Sequence, residues 1–251
     1  MSRTDLLALA AVALLVLTMP VFAIRARGRP LDPEVAQRPT TVLLGYWIRD
    51  WLMWVLAPLE RLFVRARISP EVFNYLGAGL GLAAGIAFAL GQPGLGGWLV
   101  LLGGAADIFD GRVARARGLA SPYGAFLDST LDRFAETFTF VGVAWYLAAT
   151  PWTVPATVLA ASGSLLVSYT RARGEALGVT CRGGVMQRAE RLVLLALAAL
   201  LDSVVTAAAG WPPKSLLAGA VAIIGLGSFA TAIYRSVYIA RVMQRSHTTT
   251  G

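Results

Sequence analysis

Asp107, Asp110, Asp128 and Asp132 are the residues of this chain whose type and spacing best suit chemistry. They stand in Asp107-Ile-Phe-Asp110-Gly111-Arg112-Val113-Ala114-Arg115 and, after eight further residues, in Gly124-Ala-Phe-Leu-Asp128-Ser-Thr-Leu-Asp132. Both stretches adjoin strongly apolar sequence, where a carboxylate is costly without a compensating partner. On helices, Asp107 and Asp110 share a face, and so do Asp128 and Asp132. Two such helices meeting face to face bring four carboxylates into one small volume, where they repel one another unless neutralised. Divalent cations that prefer oxygen ligands would neutralise them. With one or two Mg²⁺ ions the cluster could clamp phosphates and stabilise charge during displacement at phosphorus. Gly111 and Gly124 let a ligand or a neighbouring helix approach the backbone closely. The plainer alternative is a set of helix-end aspartates paired with nearby arginines, but such pairing does not require this spacing.

The elements that must hold these carboxylates are membrane helices. The chain has 251 residues, 57% of them hydrophobic and 14% charged, against about 25% charged in a soluble domain. Its mean hydropathy is +0.65. Seven apolar segments approach the roughly 20 residues needed to span a bilayer: 5–24, 72–91, 95–112, 122–149, 152–173, 190–209 and 214–240. Between the first two, Val42 to Val64 interleaves Trp47, Trp51, Trp54 and leucines with Arg49, Asp50, Glu60 and Arg61. That pattern predicts an amphipathic helix lying in the interface, its tryptophans at headgroup depth, with a kink at Pro58. A cytosolic helix packed on a soluble partner is the alternative. Gly77, Gly79, Gly81 and Gly85 are spaced for close helix packing in the bilayer. The expected architecture is therefore an all-α polytopic membrane protein. Residues 1–41 form an anchor and linker, 42–245 the membrane domain (interfacial helix 42–66, six spans within 70–243), and 246–251 a polar tail.

Charge orients this arrangement. The net charge is +8, and Lys214 is the only lysine. Such a balance suits an anionic membrane surface and anionic substrates. No nucleic-acid-binding motif or basic-aromatic platform is present, so no nucleic-acid partner is expected. Arginines cluster at 25–38, 65–67, 112–117, 171–191 and 235–245, whereas the turns at Gln92-Pro93-Gly94 and Thr150-Pro151-Trp152 carry no charge. The positive-inside rule places the arginine-rich connections in the cytoplasm, with the N-terminus outside and the C-terminus inside the cell membrane. The aspartates then face the cytoplasm. Residues 1–24 read as a signal peptide or an uncleaved anchor; Arg25, Arg27 and Arg29 favour the anchor. The single Cys181 excludes an internal disulfide. His247, alone in the tail, reads as solvated and leaves no Ser-His-Asp set. There is no P-loop or dinucleotide fingerprint.

The two aspartate stretches together read D-x-x-D-G-x-x-A-R, eight residues, G-x-x-x-D-x-x-x-D, matching at Asp107, Asp110, Gly111, Ala114, Arg115, Gly124, Asp128 and Asp132. In this the chain resembles the CDP-alcohol phosphotransferases, over roughly residues 42–243. The resemblance implies a six-helix membrane bundle preceded by an interfacial helix, the first span being an extra. It implies transfer of a phosphatidyl-type group from a CDP-linked lipid such as CDP-diacylglycerol to an alcohol, with release of CMP. By the same resemblance, Asp107, Asp110 and Asp128 would hold Mg²⁺ or Mn²⁺, and Asp132 would be the general base. Gly111, Ala114, Arg115 and Gly124 would sit by the donor's cytidine and diphosphate. A homodimer is implied, as this family commonly forms.

The acceptor is a separate question. Ser168-Tyr-Thr-Arg171-Ala-Arg173 and Arg188-Ala189-Glu190-Arg191 could converge their arginines on a phosphate, which guanidinium forks bind bidentately. Ordinary topology signals, with pairing to Glu175 and Glu190, explain the same arginines equally well. These segments resemble the branch containing the phosphatidylinositol-phosphate and archaetidylinositol-phosphate synthases. That resemblance implies inositol 1-phosphate as acceptor, its phosphate held by Ser168, Arg171, Arg173, Arg188 and Arg191. Ala189 stands where that branch often has proline, and Glu71 and Asn74 replace the usual Asn and Thr of an S-P-N-x-x-T segment. The same chemistry on glycerol 3-phosphate, serine or another alcohol is the alternative. A cation-coupled transporter is a remote one, for which internal repeats would speak; none is evident.

Overall fold

A computed structural model describes residues 3–37 and 44–248, with side chains described for 10–37 and 44–245. The linker residues 38–43, the end of the polar tail and the His247 side chain lie outside the described residues. Nine helices occur among the described residues, and no strand: α1 (Arg3–Arg25), α2 (Pro33–Gln37), α3 (Tyr46–Arg65), α4 (Pro70–Ala89), α5 (Pro93–Ala116), α6 (Pro122–Leu147), α7 (Thr153–Ala176), α8 (Arg188–Ala209) and α9 (Ser215–Thr248). All seven apolar segments are helical. Helices α4, α5 and α6 each begin on a proline, whose fixed φ and missing N–H suit the first helical position. At the start of α6, the Gly124 N–H donates to Ser121 Oγ at 3.1 Å, an N-cap bond. Ser69, before α4, donates instead to the Glu71 carboxylate. Helix α8 ends on Gly210 at φ 67°, where a side chain would be strained.

Helices α4, α7, α8 and α9 are long and apolar enough to cross a membrane, and Ala10–Arg25 is a shorter apolar helix. Helices α5 and α6 have spanning length, at 24 and 26 residues, but carry the aspartates and arginines of the predicted site. Helix α4 packs along both α5 and α6, α7 along α9, and α8 against α5 and α9. The α4–α6 approach depends on missing side chains. A Cβ at Gly81 would stand 2.5 Å from Ala135 Cα, and one at Gly85 would overlap the Phe138 carbonyl. Two of the four predicted packing glycines therefore meet α6, whereas Gly79 faces open space. Phe88, Val143, Leu147, Leu195, Leu217, Val221 and Ile224 form the main core.

The amphipathic helix is α3, unbroken across Pro58. Phe63, Phe73 and Phe109 fasten it to α4 and α5, with ring centroids 5.0–5.8 Å apart. Its tryptophans do not all face headgroups: Trp51 is buried and its Nε1 donates to Thr18 Oγ1 of α1 at 2.9 Å. Phe22 of α1 is enclosed between Trp47 and Trp54, at centroid distances of 5.5 and 5.7 Å. Helix α2 was not legible in the sequence. It is a single short helix whose Glu34 N–H is capped by Asp32 Oδ1 at 3.0 Å.

Candidate metal and phosphate site

Asp107 and Asp110 project from α5 and Asp128 from α6. One carboxylate oxygen of each lies within 4.8 Å of those of the other two. Asp110 is buried, and both Asp110 Oδ2 and Asp128 Oδ1 are enclosed without a hydrogen-bond partner. An enclosed, unpartnered carboxylate oxygen is destabilising unless something accepts its lone pairs. An all-oxygen trio with free lone pairs suits a hard divalent cation, so these residues fit the metal that the motif implies.

Asp132, one turn beyond Asp128, engages α8 instead. Arg188 Nη2 donates to Asp132 Oδ1 at 2.6 Å, while its Nη1 reaches Asp107 Oδ1 at 2.7 Å. One guanidinium thus ties α5, α6 and α8 together. The other oxygen, Asp132 Oδ2, has Arg133 at the longer distance of 3.8 Å. Arg188 Nε is buried and unpartnered.

The predicted donor residues flank this cluster. The Arg115 guanidinium folds back over Gly111, where an added Cβ would lie 3.0 Å from Nη1. Ala114 is half-buried beside it. Gly124 lies in the first turn of α6, close to Ser121. Arg115 Nη2 also contacts Glu34 Oε2 of α2 at 2.8 Å.

The predicted acceptor residues are not equivalent. Arg171 and Arg173 are exposed at the end of α7, and Arg171 Nε donates to Glu175 Oε1 at 2.9 Å. Ser168 donates to Ser164 O at 3.2 Å. Arg188 belongs to the carboxylate cluster. Arg191 is 1% exposed; its Nε and Nη2 donate to Glu136 Oε1 and Oε2 at 2.7 and 3.2 Å, and Nη1 to Met186 O at 3.2 Å. Every guanidinium nitrogen of Arg191 is therefore occupied, and its pair with Glu136 is enclosed.

Sequence reasoning missed Glu136, Arg112 and Arg235. Glu136 continues the face of Asp128 and Asp132 at the same four-residue interval, and a further carboxylate in an apolar helix was signal enough to mark it. Arg112 reads in the sequence only as a topology signal, yet it meets Asp32 at 3.1 Å and Glu60 at 2.6 Å. Arg235 likewise ties α9 to Gly183 O and Val167 O at 2.9 and 2.8 Å.

Apolar spans and a carboxylate trio that Arg188 bridges to Asp132 fit an integral membrane protein that handles phosphate esters with a divalent cation. Comparison with known proteins makes the class specific. The profile described as CDP-alcohol phosphatidyltransferase matches residues 67–233, a stretch that includes all four aspartates, and the chain belongs to that family of transferases. The phosphatidylinositol phosphate synthase of Streptomyces avermitilis is 34% identical over 224 residues, covering 87% of this chain and 89% of the relative. The archaetidylinositol phosphate synthase of Methanothermobacter thermautotrophicus is 32% identical over 198 residues, covering 76% of this chain and 96% of the relative. The crystal structure of Mycobacterium tuberculosis phosphatidylinositol phosphate synthase with CDP-DAG bound is similar at a TM-score of 0.64 and 28% identity, covering 72% of this chain and 92% of that one. The same relative has been solved in complex with manganese and citrate.

Proposed function

We propose that this protein transfers a phosphatidyl group from CDP-diacylglycerol to inositol 1-phosphate, releasing CMP and forming phosphatidylinositol phosphate. The observation that carries the reaction chemistry is the pair of enclosed, unpartnered oxygens, Asp110 Oδ2 and Asp128 Oδ1, the second on a residue one helical turn from Asp132. The donor follows from the CDP-DAG complex of the mycobacterial relative, and the acceptor from the names of relatives aligned over most of their length.

Asp107, Asp110 and Asp128 would hold Mg²⁺ or Mn²⁺, which when bound neutralises the donor's diphosphate and the departing CMP. Asp132 accepts the proton of the acceptor hydroxyl through Oδ2, the oxygen that Arg188 does not bind. The hydroxyl oxygen bonds to the lipid-bearing β-phosphorus, the bond from that phosphorus to the bridging oxygen breaks, and CMP leaves with the electron pair. Arg188 holds Asp132 in place from α8, and general-base positioning of this kind contributes about 10²–10⁴-fold. Gly111 leaves room for the donor beside Arg115, and Ala114 and Gly124 complete that wall. Ser168, Arg171, Arg173 and Arg188 receive the acceptor's phosphate. Arg191 acts behind them, fixing α8 to α6 through Glu136.

In this reading the site opens to the cytoplasm of the cell membrane, with the N-terminus outside, the C-terminus inside, and the protein a homodimer. The test is CMP release from CDP-diacylglycerol with Mg²⁺, against inositol 1-phosphate, inositol, glycerol 3-phosphate, serine and no acceptor. Release with inositol 1-phosphate alone supports the proposal. Release with another acceptor alone overturns the substrate and keeps the chemistry. Asp132→Asn is expected to lower kcat by about 10²–10⁴-fold.

A further inference from the structure

The connection from α1 to α3 is anchored firmly at two points and loosely at a third. Arg29 Nη2 meets Asp50 Oδ1 at 3.0 Å, and the Asp32 N–H donates to the same oxygen at 3.0 Å. Asp32 then takes Arg112 of α5 bidentately, Oδ2 from Nη2 at 3.1 Å and Oδ1 from Nη1 at 3.3 Å. This pair is sheltered, with side-chain exposures of 15% and 16%. Burial pushes the Asp32 carboxyl up, but hydrogen bonds from Arg112 and the α2 backbone hold it below its ordinary value, so it is ionised at neutral pH.

Two residues on, Glu34 reaches Arg115 through a single oxygen at 2.8 Å, and the same oxygen lies 3.6 Å from Arg112. Arg115 is 53% exposed there, so this contact is screened and easily exchanged. Arg112 and Arg115 together face three carboxylates, Asp32, Glu34 and Glu60. These contacts stand where the proposed reading puts an anionic diphosphate, beside Gly111.

We propose that Glu34 is an internal competitor for the donor's phosphate at Arg115: the α1–α3 connection places its carboxylate on the guanidinium, and the CDP-lipid must displace it to bind. Asp32 and Asp50 keep the strap docked while Glu34 lets go, so the anchoring and exchanging roles belong to different residues. Asp32 and Glu34 precede residue 67, where the family match begins. The inference rests on Arg115 being a donor ligand.

The test is the Kd of the purified full-length protein for CDP-diacylglycerol with Mg²⁺, measured for Glu34→Gln, Arg115→Gln and the double variant. Arg115 is exposed and Glu34 partly so, so neither substitution opens the core. Releasing one exposed ion pair should tighten donor binding by about two- to fivefold in Glu34→Gln. A merely structural role would weaken binding or leave it unchanged. Arg115→Gln should weaken binding, and Glu34→Gln should add nothing in that background. If Glu34→Gln weakens donor binding, Glu34 positions Arg115 rather than competing, and the proposal is overturned. If Arg115→Gln weakens binding while Glu34→Gln changes nothing, the competition is absent. If Arg115→Gln leaves the Kd unchanged, the donor role of Arg115 is what fails, whatever Glu34→Gln does.

Discussion

Asp202, near the end of α8, has both carboxylate oxygens occupied. The Lys214 N–H donates to Oδ2 at 2.9 Å and the Leu217 N–H to Oδ1 at 3.0 Å. Asp110 and Asp128, toward the opposite end of the bundle, each keep an enclosed oxygen with no partner. The residue type is the same and the burial similar for Asp202 and Asp110, at 5% and 7% exposed. Asp202 completes a helix start, with backbone N–H groups on its lone pairs. In the trio, Asp110 and Asp128 each keep an oxygen that no protein group occupies, while Asp107 is held by Arg188. Burial alone therefore does not mark a functional carboxylate here; unsatisfied oxygens on carboxylates that converge from two helices do.

Removing that capacity is the strongest way to break the comparison. Asp110→Asn combined with Asp128→Asn should lower CMP release by about 10⁴-fold or more, since a bound cation contributes several kcal/mol at the displacement. Its thermal unfolding in chelator should be unchanged or improved, because two adjacent charges are gone. Glu136→Gln probes a closed pair and should act on stability first. It leaves Arg191 buried with its charge uncompensated, at a cost of about 3–5 kcal/mol in chemical unfolding.

Asp202→Ala tests the other end of the bundle. It should cost about 1–2 kcal/mol in unfolding and leave CMP release unchanged. A loss of turnover in folded Asp202→Ala would end the contrast. The smallest effect belongs to Asp32. Its folded-state pKa is lowered from 3.8, so its contribution is fully present above about pH 4 and is lost as pH falls through the lower folded value. Asp32→Asn should cost less than about 1 kcal/mol at pH 7, and the difference from wild type should vanish in acid.

What the sequence made legible was local. Intervals of three and four along α5 and α6 place Asp107 with Asp110 and Asp128 with Asp132, and prolines at 70, 93 and 122 mark helix starts. Seven apolar runs gave the seven long helices outside α3, and interleaved tryptophans and charges gave α3 itself. The pairings across the fold were not legible. Arg112 finds Asp32 80 residues away, and Arg191 finds Glu136 at a separation of 55. No periodicity encodes such partners, because they depend on which helices become neighbours. That is why Arg191 read like Arg171 in the sequence, although one is enclosed and the other solvent-facing. Trp51 reads as a headgroup tryptophan for the same reason, since nothing local to it encodes that α1 covers it.

The central claim is that the unpartnered oxygens of Asp110 and Asp128 belong to a cation. Calorimetric titration of Mn²⁺ into the purified protein tests it directly, with Asp110→Asn, Asp128→Asn and Asp202→Ala alongside. Saturable binding that is lost in the first two variants and kept in the third is the result predicted here. Binding that survives both Asp110→Asn and Asp128→Asn would contradict the account.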